Sequence, residues 1–297
     1  MRFSPLRTLT TLACGLCCWT SLAWAGNGEA LVDRVPSSME GVAVLDVARV
    51  RDTSFVSRAM PMLQRSQAWT SRMGTLTRNG FTFSPATDIQ TLMLLVPDVN
   101  ASDPTRGAGL ILEATFDVDQ LLAAAAAAGS EVQTEGDIRW FQRGADRVAV
   151  LAPGVLAMGP AALVEQVVAA QGPSRGLRAQ IRAADKGRSA WFAASADRPL
   201  EGFTAGHGAL DLGATLSLTA TGATPSAEAA AEQVAVVGRQ KVRLQADATV
   251  AALGLMPLVE GVQAEAREDR VVVTLRLDAA AWSSLANQLL AIIESEL

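Results

Sequence analysis

Leu210-Asp211-Leu212-Gly213-Ala214-Thr215-Leu216-Ser217-Leu218-Thr219 is the stretch on which the fold turns. Leu210, Leu212, Leu216 and Leu218 alternate with Asp211, Thr215, Ser217 and Thr219. That is the period-two pattern of a strand buried on one face, and it predicts a single strand here. Thr224-Pro225 follows, a capping threonine with proline at the first helical position, and predicts the start of a long helix. Val262 to Ala266 and Val271 to Leu277 then read as a hairpin turning at Glu268-Asp269. Asp278 caps a closing helix whose apolar stripe is Trp282, Leu285, Leu289, Ile292 and Ile293.

The same order of elements is expected near the N-terminus. Gly41 to Val50 (GVAVLDVARV) is an apolar run of strand length. Asp52-Thr53-Ser54 opens a helix carried by Phe55, Val56, Ala59, Met60 and Leu63, with a proline at position 61. Ile89 to Val96 and Gly107 to Phe116 are two further buried strands. Asp117 caps a helix containing the alanine run Ala123 to Ala128 and stopping at Gly129. Asp211 follows Asp46 by 165 residues and Asp278 follows Asp117 by 161, so the spacing of the two units is nearly kept.

The expected class is therefore α+β: two βαββα-like units, an internal pseudo-repeat, forming mainly antiparallel sheets with helices on one face. The division is a signal peptide over 1–25, a linker over 26–40 and a first unit over 41–130. A connecting region of strands and helices over 131–205 and a second unit over 206–297 complete it. Within the connecting region, Ile138 to Gln142, Val148 to Ala152 and Val155 to Met158 are short strands, and Ser189 to Ser195 another.

The N-terminus has the three parts of an export signal. Arg2 and Arg7 are followed by an uncharged run from Thr8 to Leu22, and Ala23-Trp24-Ala25 is the small-x-small pattern of a cleavage site. The expected location is the periplasm, or secretion beyond it, after cleavage near Ala25. An alternative is lipidation at Cys14, since Thr11-Leu12-Ala13-Cys14-Gly15 weakly matches a lipoprotein processing site. All three cysteines, Cys14, Cys17 and Cys18, fall in this segment, so the mature chain would have no thiol for a disulfide, a metal or nucleophilic attack.

Loss of Arg2 and Arg7 leaves 23 of the 25 basic residues against all 30 acidic ones, a net charge of −7. No Lys/Arg cluster offers the positive surface that nucleic acid requires, so no nucleic-acid partner is expected. The longest uncharged run past the signal is Val148 to Val164, broken by Pro153, Gly154, Gly159 and Pro160. No transmembrane segment is expected in the mature chain.

The catalytic inventory is thin. His207 is the one histidine, Lys186 and Lys241 are the only lysines, and there is no tyrosine. Neither a metal site nor a cofactor is expected from so few ligands. Gly172-Pro173-Ser174-Arg175-Gly176 fits G-x-S-x-G, and Ser174, then Asp185 or Asp197, then His207 stand in the chain order of an α/β hydrolase triad. The elbow needs a strand before the serine, however, and Leu163 to Gln171 reads as helical. Asp98-Val99-Asn100-Ala101-Ser102-Asp103 opens like a calcium loop but has Asp103 where the glycine belongs and Gly109 where the glutamate belongs. It reads as a hydrated turn. Asp46 and Asp211 could be paired acids, against the plainer reading of each on a solvent face.

Trp140-Phe141 and Trp191-Phe192 are adjacent aromatics in expected strands, so each pair puts one ring on either face of its sheet. Trp140 and Trp191 are the candidates for an apolar groove, against the plainer reading that the rings are buried. The phrases VPSSMEGVAVLDVARV (35–50), FDVDQLLAAAAAAG (116–129) and VLAMGPAALVEQVV (155–168) together resemble a group of uncharacterised exported proteobacterial proteins built on a domain of unknown function. That resemblance implies an α+β fold and an exported location, and brings no activity and no catalytic residues. The expected function is a non-catalytic periplasmic or envelope module that binds an unknown protein or apolar small-molecule partner. The alternatives are an exported serine hydrolase using Ser174 and His207, and a lipid carrier.

Overall fold

The computed structural model describes residues 28–66, 74, 76–101, 103–104, 106–200 and 202–296. The export signal, Cys14 and the cleavage site at Ala25 lie outside the described residues. Twelve strands form one sheet, in the order β11-β12-β10-β9-β8-β1-β2-β3-β7-β6-β5-β4. They are β1 (Gly41–Asp46), β2 (Ile89–Val96), β3 (Gly109–Ala114), β4 (Val132–Glu135), β5 (Ile138–Arg143), β6 (Asp146–Ala152), β7 (Val155–Pro160), β8 (Ala190–Leu200), β9 (Phe203–Leu212), β10 (Leu216–Ala223), β11 (Val262–Arg267) and β12 (Arg270–Leu277). Every neighbouring pair is antiparallel. The α+β class thus holds, and the sheet runs unbroken across the expected boundaries near residues 130 and 205.

The helices are α1 (Val47–Val50), α2 (Ser54–Arg65), α3 (Pro85–Asp88), α4 (Val118–Ala127), α5 (Ala161–Val168), α6 (Arg175–Ala183), α7 (Ala227–Gln245), α8 (Ala248–Ala252), α9 (Met256–Gly261) and α10 (Ala279–Glu296). Asp117 caps α4 by accepting from Asp119 N and Gln120 N, and Gly129 ends it at φ 86°. Asp278 accepts from Ala281 N at the start of α10. Helix α7 begins later than its threonine suggested. Ser226 caps it through Ala229 N, while the Thr224 hydroxyl donates to the carbonyl of Asp269 and ties the helix start to the β11–β12 turn. That turn puts Glu268 at φ 55°.

The expectation of helices on one face is corrected. Val44, Trp191, Met93, Ile111, Ala157 and Ala149 form one row across β8, β1, β2, β3, β7 and β6, each at most 2% exposed. Leu45, Ala190, Leu210, Leu112, Leu156 and Val150 point to the opposite face and are buried too. Apolar side chains in both directions need cover on both sides, and helices supply it. Leu163 of α5 presses on Gly109, Gly176 of α6 abuts Ser195, and Gln180 of α6 meets His207, all on the Trp191 side. On the other side, Asp119 of α4 pairs with Arg139 and Gly261 of α9 abuts Leu275 and Leu277. Helices α2 and α10 pack on each other through Phe55 and Trp282, ring centroids 5.6 Å apart.

Two further expectations are revised. The alternating stretch at 210–219 is a hairpin: Leu210 and Leu212 end β9, Leu216 and Leu218 begin β10, and Leu212 pairs with Leu216. The leucines keep their period because a tight turn returns both strands with the same face inward. The two units also differ in sheet order. The first is laid out β1-β2-β3 and the second β9-β10-β12-β11.

Candidate functional site

Helix α6 covers β8 and β9, burying Leu177 and Ile181. Among the described residues no equivalent of α6 covers the same face of β10 and β12, which carries Ser217, Thr219, Thr221, Arg276, Thr274 and Val272. At the end of α6 the chain turns back through Asp185 to Arg188 to start β8, and this loop forms the wall of a cleft of about 660 Å³. His207 and Ala209 of β9, Ser217, Thr219 and Thr221 of β10, and Arg276 of β12 lie along its floor. Their pairing sets the geometry. Asp211, Ser217 and Arg276 share one rung, and His207, Thr221 and Val272 another.

The wall is held by charge and hydrogen bonds. Arg188 donates to Asp185 at 2.9 Å and to Asp211 at 3.4 Å. Asp211 also accepts from the hydroxyl of Ser189, which is 2% exposed and accepts in turn from Leu212 N. Arg49 donates to the Gly187 carbonyl at 2.6 Å and pairs with Asp46. Asp46 N donates to the Ser189 carbonyl. Asp46 and Asp211 therefore flank Ser189 on one face of the sheet, Asp46 paired with Arg49 and Asp211 with the Arg188 that also serves Asp185. The hydrogen bonds from Arg188 and Gly187 N hold the Asp185 carboxyl below the usual range, and the same carboxylate raises Arg188.

His207 is half-buried. Its Nδ1 lies 2.9 Å from Gln180 Oε1. Burial first, and the positive charge of Arg270 second, lower its pKa from the ordinary value, so the ring is neutral at neutral pH. With Gln180 Oε1 as acceptor, Nδ1 carries the proton and Nε2 is an acceptor.

The structure separates the other candidates. Ser174 caps α6, its Oγ accepting from Leu177 N at 3.3 Å, whereas His207 bonds to Gln180 farther along the same helix. Six residues of helix between Ser174 and Gln180 amount to about 9 Å along the axis. Asp185 serves Arg188, and Asp197 lies in β8 with its side chain outside the described residues. Asp98 accepts from Asn100 N in a local turn, and Val99 N donates to Glu40. Among the described residues no three His, Asp or Glu side chains gather as a metal site.

The aromatic pairs split as strand geometry demands, with one member reassigned. Trp191 is 1% exposed and belongs to the core, so it lines no groove. Its neighbour Phe192 faces the other way and, with Phe203, Gly206, Gly222, Val271 and Val273, lines an apolar groove of about 280 Å³ on the reverse of the sheet. Trp140 is half-buried with the Arg147 guanidinium 3.8 Å from its ring centroid, and Arg147 pairs with Glu165. The polar cleft itself was missed. Its signal is present in Ser217 and Thr219, the polar half of the alternating pattern, but the pairing of β10 with β12 that adds Arg276 has no local mark.

No family model and no curated protein matches the chain. Among solved structures, crystal form III of TP0453 aligns over 89% of this chain and 97% of that one, with 11% identity and a TM-score of 0.51. In fold the chain is similar to TP0453. Crystal form IV gives 11% identity and a TM-score of 0.49, and form I gives 10% and 0.47, over 89% and 88% of this chain and 96% of each of those. Among the described residues no helix is long and apolar enough to cross a membrane.

Proposed function

We propose that this chain is an exported, non-catalytic envelope protein that binds a polar ligand in the cleft floored by β9, β10 and β12. One observation carries the reading. A cleft of about 660 Å³ is lined by the hydroxyls of Thr215, Ser217, Thr219 and Thr221, for which no hydrogen bond is formed among the described residues. That volume falls within the range of about 300–1,000 Å³ typical of ligand pockets. Hydroxyls on a strand surface beside a fixed loop provide donors and acceptors without reorganisation, as a specific polar site requires. The apolar-carrier reading is weaker, because the apolar groove is less than half as large. The hydrolase reading is weaker still, since Ser174 and His207 each have a different partner. Export itself rests on the sequence of the first 25 residues.

The test is a thermal-shift screen of the purified protein against sugars, organic acids, amino acids and fatty acids. Polar members of the panel are expected to raise the melting temperature, and Thr219→Trp, which fills the cleft from an exposed strand position, is expected to abolish the shift. Hits that survive Thr219→Trp, or stabilisation by fatty acids alone, would overturn the reading.

A further inference from the structure

The charges around the cleft are not all equivalent. Asp185 is occupied by Arg188 and Gly187 N, Asp211 by Arg188 and Ser189, and Asp278 by Ala281 N at the start of α10. Arg188 is shared between two carboxylates. Arg276 is different: it is exposed on the cleft floor and its side chain has no ion pair or hydrogen bond among the described residues. Among the described residues it is the one lining cation without a carboxylate partner; Asp278, whose Oδ1 caps α10, is the lining carboxylate without an ion pair. The five donors of Arg276 match a carboxylate in two parallel bonds.

Beside it runs a row of hydroxyls. Ser217 is directly across from Arg276, and Thr219 and Thr221 follow on the same face at intervals of about 6.8 Å along the strand. At the far end His207 offers an acceptor at Nε2. Among the described residues His207 is the one aromatic ring lining the cleft, and no Phe or Trp stands there as a platform for a nucleobase. What the floor can match is a molecule with a negative group at one end and several hydroxyls along its length. Resting on the reading of the cleft as a ligand site, we infer that the ligand is an acidic saccharide, its carboxylate held by Arg276 and its ring hydroxyls by Ser217, Thr219 and Thr221.

The experiment is an NMR titration of the purified protein at low ionic strength with three probes: D-glucuronate, D-glucose and acetate. Glucuronate carries both features, and each of the others carries one. Glucuronate is expected to shift the backbone amides of residues 207, 217–221 and 276 and to bind at least about tenfold more tightly than either single-feature probe. Arg276→Gln, at an exposed position, is expected to weaken glucuronate about tenfold or more, and Arg276→Lys to recover part of the loss. Equal binding of glucose, or unchanged glucuronate affinity in Arg276→Gln, overturns the acidic-saccharide assignment while leaving the cleft as a site. Failure of all three probes, with another panel molecule still excluded by Thr219→Trp, does the same. Absence of any Thr219→Trp-sensitive ligand overturns both.

Discussion

Gly208 sits in β9 between the polar cleft and the apolar groove, and its lack of a side chain shapes the wall between them. A Cβ built there would lie 2.4 Å from Phe192 Cζ, 2.6 Å from Cε1 and 2.7 Å from the Thr219 carbonyl oxygen. Real Cβ atoms do not approach so closely, so Gly208→Ala must push the Phe192 ring and part the β9–β10 backbone. Overpacking of this kind costs about 1–3 kcal/mol. Against it stands the loss of freedom that alanine imposes on the unfolded chain, about 0.4–1 kcal/mol in favour of folding. The net expectation is a destabilisation of about 1–2 kcal/mol. The contrast is Gly238 in α7, where no heavy atom lies within 4 Å of the added Cβ. Gly238→Ala should instead stabilise by about 1 kcal/mol, the helix preference for alanine over glycine. Urea denaturation of both variants reads the two signs directly, as midpoint shifts at constant slope. Phe192→Ala removes one of the two collisions, so Gly208→Ala made in that background should lose about half its cost. A Gly208→Ala protein as stable as the parent, or one whose penalty is the same with and without the Phe192 ring, would refute the steric account.

Three further outcomes are expected. Trp191→Ala removes a ring that is 1% exposed and should cost about 3–5 kcal/mol, read as loss of the cooperative transition at low urea. Asp117→Ala frees the first turn of α4 from a cap accepting two N–H groups and should cost about 1 kcal/mol in the same assay. His207 has a folded-state pKa below its unfolded value of about 6.5. The unfolded chain therefore binds the proton first, and the stability due to neutral His207 is complete above that value and lost as pH falls through the folded pKa. His207→Gln should flatten this part of the stability profile, and an NMR titration of the ring should give a midpoint under 6.5.

What could be read from the sequence depended on how local its cause was. Asp117 and Asp278 were legible as caps because capping is decided within three residues. The hairpin at Glu268-Asp269 was legible because the four charged residues 267–270 separate two strand-forming runs. The stretch at 210–219 was misread as one strand because period two says which face is buried, not how many strands share it. Trp191 is a groove candidate in the sequence beside the plainer reading of burial, because Trp191-Phe192 fixes only that the rings oppose each other. Which ring meets the core depends on Val44 of β1 and Ala209 of β9, its partners across the sheet. The helical cover on the second face followed from the same distant pairings.

The position of the cleft follows from where that cover stops. Helix α6 packs its Leu177 and Ile181 onto β8 and β9, then ends at Ala183, so the apolar demand of the sheet is met only as far as β9. Beyond it the sequence changes in step: Ala209 is the last small apolar residue on this face, and Thr219 and Thr274 take its place on the same rung of β10 and β12. Threonine suits such a surface, because its β-branched body favours a strand while its hydroxyl stays hydrated. An open face alone would be ordinary solvent surface. Arg188 changes that, since by holding Asp185 and Asp211 at once it fixes the loop at the edge of the hydroxyl rows. Arg49 secures the same loop from below through the Gly187 carbonyl. The wall of the site is thus the part whose charges pair with one another, and Arg276 on the floor is the lining cation that a ligand is left to satisfy.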